Sequence, residues 1–158
     1  MRTLRQATAA DVGTLVTLIN RAYEIEKFFV AGERVSAAEV SNLLSRGVFL
    51  IGDDAGAAAA CVYVQLAGNR GYFGLLAVSP ERQGHGWGRE MVEAAEQHAR
   101  AAGCVGMDLS VVNLRTELPP FYHRLGYTET GTAPFTDPRA TQPCYFVLMS
   151  KPLQEALG

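Results

Sequence analysis

The chemically most suggestive stretch of the chain is Val78-Ser-Pro-Glu-Arg-Gln83-Gly-His-Gly86-Trp-Gly88-Arg89. Glycine recurs there at every second position, between an apolar run and a helical pattern. Glycine lacks a Cβ and tolerates positive φ, so successive backbone N–H groups can converge on one point. A helix start adds unpaired N–H groups and partial positive charge. Together these features suit a pyrophosphate, and Arg82 and Arg89 stand close enough in sequence to add charge. Two stricter nucleotide signatures are excluded. Gly-x-Gly-x-x-Gly would need glycine where Arg89 stands, and no Gly-Lys-Ser/Thr occurs. By itself, such a loop also reads as an ordinary flexible link from strand to helix.

Other reactive side chains are dispersed. Cys61, Cys104 and Cys144 are odd in number with no Cys-x-x-Cys pair, and His85, His98 and His123 lack ligand spacing. Neither a disulfide framework nor a metal site is expected, and a reducing, cytoplasmic setting fits. His85 and His123 read as solvent-facing or packing residues. The chain has 158 residues, 48% hydrophobic and 19% charged, with a formal net charge of −2. That is the balance of a globular protein with no overall field for nucleic acid or an anionic membrane. The aromatics lie in apolar runs rather than among Arg and Lys, which also argues against a nucleic-acid binder. No apolar leader and no stretch of roughly 18 apolar residues is present.

The elements that must hold the loop follow from periodicity. Leu4 lies in a short extended start, and Thr8 with Asp11 opens a helix whose apolar face is Val12, Leu15, Val16, Ile19, Ala22 and Tyr23. Ser36-Ala-Ala-Glu39 is a capping box before a short helix carrying Val40, Leu43 and Leu44. Residues 48–51 form an apolar strand, and Val62, Val64 and Leu66 alternate with Cys61, Tyr63 and Gln65 in another. Residues 72–78 make a third strand, in which Gly74 suggests a bulge or a close backbone approach. After the glycine loop a helix is expected to about Ala102, with Met91, Ala95, His98, Ala99 and Ala102 inward and Gly103 as its stop. A strand over 107–112, a short helix over 119–125 and closing strands over 127–132 and 145–151 complete the order. The predicted class is mixed α/β, as one domain over residues 1–158, with no repeat or linker.

Gln83-Gly-His-Gly86-Trp-Gly88 resembles the Gln/Arg-x-x-Gly-x-Gly/Ala signature of the GNAT N-acetyltransferase superfamily, and Val78 and Pro80 fall where that family has Val-x-Pro. The element order is similar over nearly the whole chain. The resemblance implies a mostly antiparallel twisted sheet of about six to seven strands flanked by four helices, splayed between the fourth and fifth strands. It implies acetyl-CoA as donor substrate, with no metal. Its pyrophosphate would lie on Arg82, Gln83, Gly84, His85, Gly86, Trp87, Gly88 and Arg89. Backbone N–H groups near Leu76, Ala77 and Val78 would hold the thioester and pantetheine, with Asn113 also near the arm. The spacing from Asn113 to Tyr122 is longer than in many relatives and contains two prolines, which weakens the transfer of a role to Asn113.

Phe121-Tyr-His-Arg-Leu-Gly-Tyr127 resembles the family segment whose tyrosine faces the CoA sulfur. That implies Tyr122 as general acid, since a phenol of reference pKa roughly 10 stays protonated at neutral pH. No acidic residue lies on strand 72–78 to serve as base. By the same resemblance, Glu26, and less so Glu24, stand where relatives build the acceptor wall; an exposed surface role is the competing reading. The implied reaction is direct acyl transfer to a primary amine, on a small molecule or a peptide, with Glu24 and Glu26 favouring a cationic acceptor. The alternative is a non-catalytic acyl-CoA-binding or sensing module. Relatives often dimerise, and the loop over 133–143 with the last strand is a candidate interface.

Overall fold

The computed structural model describes residues 1–153. Seven strands form one sheet: β1 (Arg2–Gln6), β2 (Val48–Asp54), β3 (Ala57–Ala67), β4 (Arg70–Val78), β5 (Gly106–Val112), β6 (Thr128–Pro134) and β7 (Tyr145–Pro152). Their spatial order is β1-β2-β3-β4-β5-β7-β6. All neighbours run antiparallel except β4 and β5. The four helices are α1 (Val12–Ala22), α2 (Ala37–Leu44), α3 (Trp87–Ala101) and α4 (Leu118–Arg124). This is the mixed sheet with four helices that the sequence predicts.

The local signals hold. Thr8 and Asp11 form a reciprocal capping box, around a 3-10 turn that leads into α1. Ser36 and Glu39 form a second one at the start of α2. Each satisfies backbone donors that a helix start otherwise leaves bare. The segment after α1, which the sequence leaves undetermined, is a 3-10 helix over Glu24–Phe28.

Apolar layers cover both faces of the sheet. On one face Leu15, Leu18, Ile19 and Val40 pack over Phe49, Ile51, Cys61 and Tyr63. On the other Trp87, Met91, Val92, Ala95 and Ala99 pack over Val62, Val64, Phe73 and Met107. β3 is therefore buried continuously from Ala59 to Val64, and its alternating apolar pattern does not divide core from solvent. A strand with helices on both faces needs apolar residues at every position. α3 also differs from expectation: Glu96 faces inward, whereas His98 is only partly buried and Ala102 is exposed. Glu96 tolerates the interior because Tyr127 Oη donates to it at 2.7 Å and Lys151 Nζ lies 3.1 Å away. At Gly52, close approach explains the glycine, since a Cβ there would strike the Trp87 ring.

The decisive irregularity lies in β4. β4 pairs with β5 over only three positions, Arg70↔Gly106, Gly71↔Met107 and Tyr72↔Asp108. Just beyond, its register against β3 shifts between Cys61 and Tyr63, and Leu75 adopts φ 51. Two residues of β4, Leu75 and Leu76, thus oppose Val62 alone: a bulge beside Gly74. A bulge bends its strand, so β4 departs from β5 and leaves a gap between the fourth and fifth strands. A leucine in left-handed backbone is strained, by about 1–3 kcal/mol, and such strain concentrates at functional sites.

Candidate functional site

At the end of β4, Ser79 N–H bonds the Ala59 carbonyl at 2.8 Å. Antiparallel ladders alternate, so Ala77 N–H turns toward β3 and Val78 N–H turns toward the gap. The chain then makes a 3-10 turn over Pro80–Arg82 and enters the glycine loop. Gly84 and Gly86 have φ +81 and +83, with open space where a Cβ would stand. Their glycines answer a backbone requirement, not crowding. Gly86 is the N-cap of α3 and has no side chain with which to cap it. The first-turn N–H groups of Trp87, Gly88 and Arg89 are thereby left for an anion.

Side chains brace this loop more than they charge it. Gln83 Nε2 donates to the Val78 carbonyl at 3.3 Å. Arg2 donates to the His85 carbonyl at 2.5 Å and to Glu90 at 2.8 Å, and its guanidinium lies 4.3 Å from the centre of the buried Trp87 ring. Arg82 pairs with Asp54 at 3.3 Å, and the exposed Arg89 with Glu93 at 3.0 Å. What the loop offers an anion is accordingly backbone N–H groups before side-chain charge. Gly88 has a further use, because it lets Phe121 of α4 approach α3.

The gap opens into a cavity of about 500 Å³, lined among others by Leu76, Tyr122 and Glu26. Tyr122 is 5% exposed and is wedged edge-on between Phe73, Phe121 and Tyr127, whose ring centres lie 5.8, 5.0 and 6.0 Å away. Its hydroxyl has no hydrogen-bond partner among the described residues, yet it is not a sealed, unsatisfied polar atom. It therefore meets the cavity. Burial raises the phenol's pKa above its ordinary value, with Arg115 pulling the other way, so the proton stays on oxygen at any physiological pH. Across the gap, the Tyr72 and Ser110 hydroxyls lie 3.3 Å apart.

The far end of the cavity is walled by Tyr23, Glu26 and Arg34 on one side and by Phe135, Asp137 and Arg139 on the other. Glu26 lies 2.7 Å from Arg115, which also holds Glu117 at 2.9 Å. Burial raises the Glu26 pKa above the usual carboxylate value, while Arg115 opposes the shift. Glu24 instead pairs at the surface with Lys27, 3.0 Å away. Neither acid therefore supplies the uncompensated negative charge expected for a cationic acceptor. Burial likewise raises the Tyr23 phenol. Residues 28–33 and 139–142 are stitched together over this end. Ala31 N–H donates to Arg139 O at 3.0 Å, Thr141 N–H to Phe29 O at 2.8 Å, and Arg139 Nη1 to Glu33 O at 2.6 Å.

The sequence-predicted residues therefore divide. Leu76, Tyr122 and Glu26 meet at one cavity, and the segment from Gln83 to Arg89 forms the glycine turn and first turn of α3, outside that cavity's lining. Asn113 takes a different part: its Oδ1 accepts Tyr145 N–H at 2.8 Å and its N–H bonds Tyr145 O at 2.9 Å, which fastens β5 to β7. Arg34, Arg115, Ser110, Asp137 and Arg139 escaped the sequence reading. Only Arg115 had a signal, its place in the lengthened segment before Tyr122.

Residues 45–129 match the family model described as Acetyltransferase (GNAT) domain. No curated protein sequence matches the chain significantly. Solved structures do match in fold. The ribosomal-protein-S18-alanine N-acetyltransferase of Escherichia coli has a TM-score of 0.80 at 21% identity, covering 99% of this chain and 96% of that one. PaiA N-acetyltransferase of Thermoplasma acidophilum, solved with coenzyme A, has a TM-score of 0.78 at 16% identity, covering 96% and 99%. The yncA protein of Salmonella typhimurium, solved with acetyl-CoA as its cofactor, has a TM-score of 0.76 at 19% identity, covering 100% and 97%. At such identities these likenesses establish the fold, and the family rests on the domain match. Because that match spans more than half of the chain and includes the opened strand pair and the glycine loop, the protein belongs to the GNAT acetyltransferases.

Proposed function

We propose that the protein is an acetyl-CoA-dependent N-acetyltransferase acting on a primary amine, as a single domain, with Tyr122 as general acid and Glu26 as the acceptor's base. The observation that carries this is the unpartnered Tyr122 hydroxyl, facing the cavity at the place where β4 and β5 part. A tyrosine held only for packing has no need to present a free hydroxyl to a cavity. For the same reason a non-catalytic acyl-CoA sensor is the weaker reading.

Each step falls to a group of this chain. Backbone N–H groups from Gly84 to Arg89 hold the pyrophosphate of the donor, and Val78 N–H, turned into the gap, is placed for the acyl-pantetheine arm. Glu26, its basicity raised by burial, takes a proton from the acceptor ammonium, directly or through water. The neutral amine adds to the thioester carbonyl, and the nitrogen sheds a second proton as the C–S bond breaks. Tyr122 donates its proton to the departing thiolate and is reprotonated by solvent. The balance is one acetamide, one CoA thiol and one proton released.

Calorimetric titration tests the donor half. Acetyl-CoA and CoA are expected to bind in the micromolar range, with NADH and ATP binding far more weakly. Gly86→Asp, which sets a carboxylate at the mouth of the cradle, is expected to abolish binding. Absence of binding at millimolar acetyl-CoA would refute the proposal.

A further inference from the structure

We infer that the acceptor is a small amine bearing a carboxylate, and that Arg34 is the residue that receives this carboxylate. The inference deepens the acyltransferase reading and rests on it.

The charges lining the cavity lead to this assignment. Glu26 is held by Arg115 at 2.7 Å, and Asp137 by Arg139 at 2.9 Å. Arg34 alone among the cavity's charged residues has no carboxylate within ion-pair distance among the described residues. It is partly buried, and its guanidinium lies 5.5 Å from the centre of the Tyr23 ring, a stacked placement that steadies the planar fork. A fork of this kind matches the two oxygens of a carboxylate. A polyamine would meet the opposite situation, an arginine without an ion pair and no cavity carboxylate without one.

The enclosure argues for small size. The antiparallel bridge between Val30 and Ala140, and Gln142 Nε2 on the Phe28 carbonyl at 2.7 Å, join the two walls across the acceptor end. Arg34 belongs to one wall and Glu26 to the same one, so an ammonium near Glu26 and a carboxylate near Arg34 describe a short zwitterion. A protein N-terminus has no carboxylate at that reach.

The test follows thiol release from acetyl-CoA with the standard L-amino acids, each beside its own carboxamide, and with spermidine and a hexapeptide amide. Calorimetry of the CoA-saturated protein with the same compounds supplies a readout independent of turnover. At least one amino acid is expected to bind and react at least about tenfold better than its amide. Arg34→Gln should weaken that acid by about 10- to 100-fold, the value of a charge-assisted hydrogen bond, and chiefly through KM. The amide should be unaffected, so the acid-to-amide ratio falls toward one, and Arg34→Lys should restore part of it. Acetyl-CoA affinity, read in the same titrations, reports that each variant is folded.

Equal or better use of amides, spermidine or the peptide would overturn the inference while leaving the acyltransferase reading intact. So would equal losses on acid and amide in Arg34→Gln, or failure of every acid to bind the CoA-saturated protein. Failure of acetyl-CoA itself to bind would instead remove the acyltransferase reading, and this inference with it.

Discussion

Two tyrosines of one aromatic cluster should respond in opposite ways to loss of a hydroxyl. In Tyr122→Phe the ring and its edge-on contacts with Phe73, Phe121 and Tyr127 remain. The deleted hydroxyl has no partner among the described residues, so stability should change by no more than about 0.5 kcal/mol. Catalysis should suffer instead. General acid catalysis contributes roughly 100-fold or more, or about 2.7 kcal/mol of barrier. In Tyr127→Phe the lost hydroxyl donates to the Glu96 carboxylate at 2.7 Å, and that residue is 3% exposed. Lys151 keeps the carboxylate partly satisfied, so the loss is that of one hydrogen bond to a buried charge, about 1.5–3 kcal/mol. For a chain of this size that lowers the melting temperature by about 3–12 °C. Thermal unfolding by circular dichroism and thiol release at saturating acetyl-CoA and amine measure the two effects on the same samples. A Tyr122→Phe rate within about twofold of wild type would remove Tyr122 from the chemistry. A Tyr122→Phe protein melting as low as Tyr127→Phe would show its hydroxyl to be structural.

Two further perturbations probe the frame around the site. Gly52→Ala would push a methyl into the Trp87 ring at the start of α3, and overpacking of this kind costs about 1–3 kcal/mol; a denaturation midpoint unchanged from wild type would contradict the packing described. Asp108, at the last paired position before the gap, is held below the usual carboxylate range first by Arg70, in a bidentate contact of 2.8 and 2.6 Å, and also by the Ser150 hydroxyl. A depressed pKa means that this stabilisation is complete above the unfolded value, roughly 3.9, and is lost as pH falls through the lower folded value. Because both side chains are over a third exposed, the contribution near neutrality should be only about 0.5–1 kcal/mol and should shrink with salt. Asp108→Asn should therefore be less stable than wild type at pH 6 and equal to it near pH 2 in urea titrations; a gap that persists in acid would contradict the assignment.

The features that could be read from the chain are those whose causes lie within a few residues. The capping pairs Thr8 with Asp11 and Ser36 with Glu39 satisfy donors three positions away, so their spacing alone announces them. Gly84 and Gly86 answer a demand of their own backbone dihedrals, and a strand–glycine–helix order therefore suggests an anion cradle before any coordinates exist. The order of seven strands and four helices followed from apolar periodicity and turn signals, whereas Tyr122 was singled out by the resemblance of its segment to the family's.

What the chain did not disclose depends on contacts between distant segments. Gly74 hinted at a bulge, but the left-handed residue is Leu75, a side chain that local preference steers away from that conformation, at the point where the register against β3 shifts. The alternation in β3 suggested a strand, yet helices packing on both faces bury it throughout. Glu26 read as a negative charge until Arg115, 89 positions away, was brought to 2.7 Å of it. Asn113 could be read either as a cofactor contact or as a turn at the strand exit, and its side-chain Oδ1 accepts Tyr145 N–H. Sequence thus determined the caps, the positive-φ glycine turn and the order of elements, because each rests on hydrogen bonds and dihedral preferences within one or two turns. Tertiary structure alone decided which charges in the cavity are ion-paired and that Arg34, among the described residues, is not, because an ion pair is settled by which segments the sheet order lays side by side.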